Sequence, residues 1–273
     1  MSEFHQDQAA GLRRLMAGPK PRIVSVLSAS SNSELPRILS NLAASLTRDG
    51  SSPHIVHAAN ADPDALKHYG LQDIPTLSDI LQQRQPLIAA IHNNALGFSA
   101  SRLLSPGQVV TEKMAGPLEK CVSELARLHD IVIVETALNQ QQRLPLAMLN
   151  EGEIIIQLTN KAAAIKQAYK VIKQLYSHLG KRSFGILVHS ANAKQADGVF
   201  SNIAAVARQY LQLELEYMGY IPADDHVSRA SKLGRSVIDA FPAALASQAF
   251  RELARRLHDQ HPLATRLEPR SNI

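Results

Sequence analysis

The connector between a predicted strand and a predicted helix has the position of a phosphate-binding loop without its chemistry. Arg22–Ser28 read as a buried strand, and residues 35–48 carry the apolar spacing of a helix. A phosphate loop in that frame needs glycines, so that backbone N–H groups can close on phosphate, and a lysine to match its charge. Residues 28–36, Ser-Ala-Ser-Ser-Asn-Ser-Glu-Leu-Pro, contain neither residue type. Glu34 would repel phosphate and Pro36 lacks an N–H donor, so the frame is present but the binding chemistry is absent.

Apolar runs and helix-period segments alternate along most of the chain. The middle strands are nearly continuous apolar runs, as expected where helices cover both faces of a sheet. Alternating strands and helices imply parallel pairing through right-handed crossovers, so we expect an α/β fold with a doubly wound, mostly parallel sheet. The predicted strands are Arg22–Ser28, His54–Ala58, Ile131–Glu135, Glu153–Leu158, Phe184–His189 and Glu214–Ile221, and the predicted helices are 36–48, 76–83, 117–128, 162–179 and 197–211.

Composition bounds the class of protein. The chain has 273 residues, a formal net charge of +5 and 4% aromatic residues. The mild positive charge permits weak attraction to nucleic acid or anionic lipid, but so few aromatic side chains argue against a base-stacking platform. We therefore expect no sequence-specific nucleic-acid binding. The single cysteine, Cys121, excludes an internal disulfide framework, and the polar N-terminal segment lacks a secretion signal, so we expect a cytoplasmic protein.

The N-terminal residues 1–17 are set apart from the rest of the chain. Ala9, Leu12 and Met16 form a narrow apolar stripe with helical spacing, and residues 18–21, Gly-Pro-Lys-Pro, form a linker that breaks any helix. An isolated helix shorter than about 12 residues is only marginally stable in water. This helix must therefore dock on its own domain or fold against a partner, and we favour the partner.

Three segments resemble the MinD/ParA-type ATPases, and more closely the flagellar-number regulators called FlhG, FleN or YlxH. Residues 7–13, Asp-Gln-Ala-Ala-Gly-Leu-Arg, match the D-Q-A-x-x-L-R activator motif of those regulators. Residues 22–46 align without gaps to the family's first strand, loop and helix. Residues 217–224 and 235–242 match its L-G-x-I-P-x-D motif and the proline segment that follows. The resemblance implies a MinD/ParA-like P-loop domain over residues 22–261, preceded by the activator helix and followed by a disordered tail at 262–273.

The departures from the family pattern fall on its nucleotide site, whose loop reads G-K-G-G-x-G-K-T. Its two lysines correspond to Ser30 and Leu35 in this chain, and its magnesium-binding threonine corresponds to Pro36. Its four glycines correspond to Ala29, Ser31, Asn32 and Glu34. The acidic motif after the second strand becomes His57-Ala58-Ala59. The D-T-x-x-G motif after the next central strand begins here at Glu135, and the asparagine that contacts adenine becomes His189.

These losses bear directly on catalysis, because phosphoryl transfer depends on positioning and electrostatic stabilisation. We therefore expect no catalytic residue, no ATP or magnesium cofactor and no enzyme activity, with residual ATP binding as the alternative. In the family, the first lysine of the loop implies dimerisation driven by nucleotide. Ser30 occupies the position of that lysine here, which puts such dimerisation in question. The former nucleotide site comprises Ser30, Asn32, Leu35, Pro36, His57 and Glu135.

The resemblance also implies a partner, a signal-recognition-type GTPase called FlhF whose GTP hydrolysis the N-terminal motif stimulates. Asp7 or Gln8 would order the partner's catalytic centre, as activating proteins do for other GTPases. Ala9 and Leu12 would form the contact face and Arg13 a polar anchor. The implied function is regulation of flagellar number or placement. Two alternatives stay open: an ordinary N-terminal helix that caps the sheet, and a scaffold that sequesters a transcription activator or a flagellar switch protein.

The remaining charged and polar segments have simpler interpretations. Residues 247–258 have the pattern of an interfacial membrane helix, which would give contact with the inner face of the membrane, but we favour a last helix packed on the sheet. His54 and His57 point to opposite faces of their strand, so we expect no metal site there. Cys121 fits a buried thiol. Four lysines fit a solvated helix face better than a DNA-binding surface, namely Lys161, Lys166, Lys170 and Lys173.

Overall fold

The computed structural model describes residues 22–30, 34–58, 63–190 and 192–259. The predicted activator helix, the linker and the C-terminal tail lie outside these ranges. So do Asn32 of the former nucleotide site and its motif neighbours Ser31 and Ala59.

The described part of the chain alternates strands with helices. Its strands are β1 (Arg22–Ser28), β2 (Pro53–His57), β3 (His92–Asn93), β4 (Ser99–Arg102), β5 (Ile131–Thr136), β6 (Glu153–Thr159), β7 (Phe184–Ser190) and β8 (Leu215–Pro222). Its helices are α1 (Glu34–Arg48), α2 (Pro63–Tyr69), α3 (Leu77–Gln83), α4 (Glu112–Leu128), α5 (Ala162–Leu179), α6 (Ala193–Leu211), α7 (Asp225–Lys232), α8 (Val237–Ala240) and α9 (Leu245–Asp259). Short 3₁₀ turns lie at Leu87–Ala90 and Ala147–Asn150.

The strands form one sheet in the order β3-β4-β2-β5-β1-β6-β7-β8. Its described pairs are parallel except β3 with β4, which confirms the predicted doubly wound, mostly parallel architecture. The chain crosses over β1 on its way from β5 to β6, so β1 lies where the winding reverses. Sheets of this kind bind ligands in the crevice outside the carboxyl ends of the strands at that point.

Two apolar layers hold the crevice in place. Helices α4, α5 and α6 cover one face of the sheet, and α1 and α9 cover the other. Strands β5 and β6 are buried along their whole length, as expected for strands with helices on both sides. Burial of one large apolar side chain contributes roughly 1.5–3 kcal/mol, so these central strands are a firm base for the loops at their ends.

Several predicted boundaries were wrong. Helix α4 begins at Glu112 and not at residue 117, so Pro117 lies inside the helix. The helix tolerates this proline because it lies on the exposed side, where water can reach the carbonyl that the missing N–H leaves without a donor. Helix α6 begins at Ala193 and not at residue 197, because the side chain of Asn192 accepts a hydrogen bond from the Gln195 N–H and caps the helix.

The C-terminal helix α9 buries the apolar face that could have met a membrane. Phe250, Leu253, Ala254 and Leu257 are at most 3% exposed and belong to the core layer that α9 shares with α1. The structure therefore favours the sheet-packed helix over the interfacial helix for residues 247–258. In the part of the chain that the structure describes, no helix combines the length and the apolar character needed to cross a bilayer.

Candidate functional site

Most positions of the former nucleotide site meet at the carboxyl ends of β1, β2 and β5. Ser30 follows β1, and Leu35 and Pro36 lie in the first turn of α1. His57 ends β2 and pairs in register with Glu135 of β5, which puts both side chains on the same face of the sheet. The sequence prediction therefore brought together residues that are up to 105 positions apart.

The turn after β1 uses its own hydrogen-bonding groups. The Ala29 N–H donates to the Gln157 carbonyl at 2.8 Å, and the Ser30 N–H donates to Ser28 Oγ at 3.1 Å. Ser28 Oγ in turn donates to the Gln157 side-chain oxygen at 2.8 Å. These are the first two amides after the strand, where a phosphate loop would present free donors. Here both amides already have acceptors within the chain.

The first turn of α1 presents negative charge and apolar surface. Glu34 is the first residue of the helix, where a carboxylate stabilises the helix dipole but would oppose a bound anion. Leu35 is 3% exposed and packs into the core, and Pro36 is also buried. The Arg37 guanidinium lies 3.4 Å from Glu34 Oε2 and 3.4 Å from Ser228 Oγ. This arginine therefore joins α1 to α7 beside the crevice.

A buried polar cluster closes the crevice on the β2 and β5 side. His57 Nδ1 lies 2.7 Å from Glu135 Oε2, and the Tyr69 hydroxyl donates to the same oxygen at 2.8 Å. Tyr69, His57 and Glu135 are 0%, 2% and 4% exposed. Burial, and then the charge of Glu135, raise the pKa of Tyr69 well above its ordinary value, so its hydroxyl remains a donor. The other ring nitrogen of His57, Nε2, is buried without a partner among the described residues.

Tyr69 was not predicted as a site residue. It ends α2, a helix that the sequence prediction missed, and its hydroxyl meets Glu135 from 66 positions away. A tyrosine in a short helix between two predicted elements carries no local signal of such a contact. Its complete burial becomes evident only once β2, β5 and α2 are assembled.

His189, at the position of the family's adenine-contacting asparagine, lines a cavity of about 180 Å³ between α1 and α7. Burial lowers the pKa of His189, with Glu34 opposing that effect and Arg37 adding to it. Asp224 also lines this cavity. Burial would raise its pKa, but the backbone N–H groups of His226 and Ala246 hold the pKa of Asp224 below its ordinary value. This end of the crevice is thus lined by three carboxylates, Glu34, Asp224 and Asp225, together with the Arg37 guanidinium.

Residues outside the crevice have structural partners or face solvent. His54 Nδ1 lies 2.7 Å from Ser99 Oγ, and His54 Nε2 lies 2.9 Å from Ser101 Oγ. Cys121 is buried, and burial, with Glu124, raises the pKa of its thiol. The four lysines of the α5 segment are exposed. Across the described ranges, no group of three or more His, Cys, Asp or Glu side chains could hold a metal ion.

Comparison with known proteins gives relatives in sequence and in fold. The chain is 27% identical over 212 residues to the antiactivator FleN of Pseudomonas aeruginosa, covering 75% of this chain and 73% of the relative. It is 26% identical over 226 residues to an uncharacterized ATP-binding protein of Methanocaldococcus jannaschii, covering 81% of each. No family model matches the chain.

The solved structures agree with the sequence relatives. MinD in the MinC:MinD cell division complex of Aquifex aeolicus superposes with a TM-score of 0.68 at 18% identity, covering 88% of this chain and 97% of that one. A ParA family ATPase of Chlorobium tepidum gives a TM-score of 0.63 at 18% identity, covering 86% and 99%. At that identity these structures show the fold alone. The chain has the MinD/ParA-type fold, and its sequence is similar to that of the antiactivator FleN over three quarters of its length.

Proposed function

We propose that this chain is a cytoplasmic regulator of flagellar number or placement that acts through protein contacts and does not hydrolyse ATP. Similarity to an antiactivator over three quarters of the chain supports the regulatory role. The proposal that the chain does not hydrolyse ATP rests on the contacts of the Glu135 carboxylate. This carboxylate stands at the first position of the family's D-T-x-x-G motif, and His57 and Tyr69 both contact its Oε2.

The side chains in the crevice do not fit a magnesium triphosphate. Such a group needs convergent N–H donors and cations. The Ala29 and Ser30 amides bond within the chain, and Leu35 places an apolar side chain in the core at the position of a lysine. Pro36 has neither a hydroxyl for magnesium nor an N–H for phosphate. Glu34, Asp224 and Asp225 add negative charge beside the same crevice, and this charge exceeds the single positive charge of Arg37.

Calorimetric titration of the full chain with ATP and magnesium tests this part of the proposal. We expect no saturable heat up to millimolar nucleotide. Tight binding, with a Kd in the micromolar range or below, would contradict it and would support the alternative of a residual ATP-binding member of the family.

The partner that we propose is an FlhF-type GTPase, contacted through residues 7–13. The support is the match to the D-Q-A-x-x-L-R motif, since these residues lie outside the described ranges. Asp7 or Gln8 would order the partner's GTPase centre, Ala9 and Leu12 would form the contact face, and Arg13 would anchor it. An activator that orders a GTPase centre raises turnover strongly, by about 10³–10⁵-fold where an arginine finger is supplied.

Steady-state GTP hydrolysis by an FlhF-type GTPase, measured with the full chain added, tests this contact. We expect stimulation by the wild type and its loss in Gln8→Ala and Leu12→Ala. Ala10→Ser is the matched control, because position 10 is one of the variable positions of the motif. Equal stimulation by all four proteins would contradict the assignment of residues 7–13.

A second candidate function is a scaffold that restrains a transcription activator or a flagellar switch protein. The specific observation in its favour is that the relative in Pseudomonas aeruginosa is an antiactivator. Binding to such a partner that survives deletion of residues 1–20 would support this function over GTPase stimulation. Binding that is lost with the deletion would count against it.

A further inference from the structure

The positive charge of the chain is concentrated in one segment. Residues 154–196 contain seven Lys and Arg side chains and no Asp or Glu. The whole chain contains 29 Lys and Arg against 24 Asp and Glu, so the residues outside this segment carry a net charge of −2. The segment runs from β6 through α5 and β7 into the start of α6. The net charge of +5 therefore originates in one region of the molecule.

Three of these lysines form a stripe on α5, which we call the basic face. Lys166, Lys170 and Lys173 are four and three residues apart, so they lie on one side of the helix. All three are exposed, and the buried residues of α5 lie on the opposite side. Two further exposed lysines, Lys161 and Lys181, flank the helix at its two ends. The basic face therefore points away from the sheet into solvent.

The charges of the basic face are not balanced within the part of the chain that the structure describes. None of its three lysines forms an ion pair with a described residue, whereas Arg256 of α9 pairs with Glu252 one turn away. Like charges three or four residues apart destabilise a helix. Helix α5 thus retains a repulsion that lowers its own stability, and departures of this kind are expected where a surface has a function.

The composition of the basic face favours a layer of negative charge over a protein or a nucleic acid. Helix α5, which the structure describes throughout, has no large apolar side chain in an exposed position, so it lacks the anchors of a protein interface. Its exposed cations are all lysines, whereas arginine is preferred for the recognition of nucleic acid. Clusters of four to eight basic side chains on a helix are typical of contact with anionic lipid.

We propose that the basic face binds the surface of a bilayer that contains anionic lipid. The attraction is electrostatic, because α5 has no exposed apolar side chain to insert between the lipids. This contact differs from the interfacial helix considered for residues 247–258, whose apolar face is buried in the core. It depends neither on residues 7–13 nor on ATP, so its failure is distinguishable from the failure of the proposed function.

Flotation of the full chain with lipid vesicles tests the contact. We expect the chain to bind vesicles of equal parts phosphatidylglycerol and phosphatidylcholine at about 0.1 M salt. It should be released at about 1 M salt, because the Debye length falls from about 10 Å to about 3 Å. Vesicles of phosphatidylcholine alone should not bind it. No binding to the anionic vesicles, equal binding to both kinds, or binding that persists at high salt would overturn the proposal.

Substitutions on α5 locate the contact on the protein. Lys170→Gln should lower the partition onto anionic vesicles about fivefold, and the same change at all three lysines of the basic face should lower it about 10²-fold. Lys232→Gln is the matched control, because it removes one charge at an exposed position of α7, and it should leave the partition unchanged. Equal partition of the Lys170→Gln and Lys232→Gln proteins would contradict the assignment to α5.

The melting temperature of the triple variant separates binding from folding. It should stay the same or rise, because the substitutions remove repulsion between neighbouring lysines. A folded triple variant that binds anionic vesicles as the wild type does would overturn the proposal.

Two soluble polyanions, duplex DNA and polyglutamate, identify a different occupant if there is one. At the same salt concentration we expect both to bind the chain more weakly than the anionic vesicles do. Saturable binding of either polyanion that is lost in the triple variant, together with no binding to vesicles, would assign the basic face to nucleic acid or to an acidic protein and would overturn the proposal.

Discussion

His54 and His57 are two buried histidines of the same strand, three residues apart, and they have opposite surroundings. His57 lies on a carboxylate, Glu135, at the carboxyl end of β2. Among the described residues, the hydrogen-bond partners of His54 are the hydroxyls of Ser99 and Ser101, and its ring stacks on His129 with ring centroids 4.8 Å apart. Burial, and then His129, lower the pKa of His54 to about 3, so His54 is neutral. The comparison shows that the fold accommodates buried polar groups at both ends of β2, with a carboxylate partner at the crevice end and hydroxyl partners at the other.

The largest expected effect comes from removing the Glu135 carboxylate. Glu135→Ala takes away the shared acceptor of His57 and Tyr69 and should lower the free energy of unfolding by about 3–5 kcal/mol, the cost of breaking a buried pair. Urea denaturation at pH 7 measures it. Glu214→Ala is the control, because Glu214 pairs with Arg208 at an exposed position, and we expect no measurable change there. If Glu135→Ala lowered the free energy of unfolding no more than Glu214→Ala does, the buried cluster would not stabilise the crevice.

The second prediction concerns pH and the other end of β2. The folded pKa of His54 is below its unfolded value near 6.5, so its contribution to stability is complete above pH 6.5 and is lost as the pH falls toward 3. Each pH unit below 6.5 lowers the free energy of unfolding by about 1.4 kcal/mol, which amounts to a loss of about 2 kcal/mol at pH 5. The groups facing His54 are Ser99, Ser101 and His129.

Comparison of variants isolates this pH dependence from the titration of carboxylates. His54→Gln stays neutral and can still bond the serines, so its unfolding free energy should fall less between pH 7 and pH 5 than that of the wild type. His178→Gln, at an exposed position of α5, should follow the wild type. Parallel curves for all three proteins would refute the assignment of the dependence to His54.

The smallest effect is expected at Tyr69. Tyr69→Phe removes one of the two contacts to Glu135 Oε2 and leaves His57 in place, so it should cost about 1.5 kcal/mol, the lower range for a hydrogen bond to a charged group. The same change at Tyr210, which is 67% exposed, should be neutral. If Tyr69→Phe matched Glu135→Ala in cost, the hydroxyl and not the carboxylate would be the centre of the cluster.

The sequence predicted the fold well where its signals are local. The central strands are long apolar runs, and α5 was predicted with its observed bounds, because its apolar stripe repeats at helical spacing. Strand β3 was missed because it has only two residues, and β4 was missed because Ser99-Ala-Ser-Arg102 contains a single apolar residue, too few to predict a strand. Helix α2 was missed as well, and with it the only hydroxyl donor to Glu135 found in the described ranges.

The candidate site was predictable in position but not in chemistry. The frame of β1 and α1 placed Ser30, Leu35 and Pro36 correctly. That His57 would bind Glu135 depends on the register of β2 with β5, which no local pattern encodes over 78 positions.

The turn at Ser28 has a consequence for any attempt to re-engineer nucleotide binding. Its Ala29 and Ser30 amides already donate to Gln157 and Ser28, so adding one lysine or one glycine would supply a single attraction while these two backbone donors stay occupied. We therefore expect a nucleotide-binding loop at this turn to need several exchanges together, because a single substitution leaves the two backbone hydrogen bonds in place.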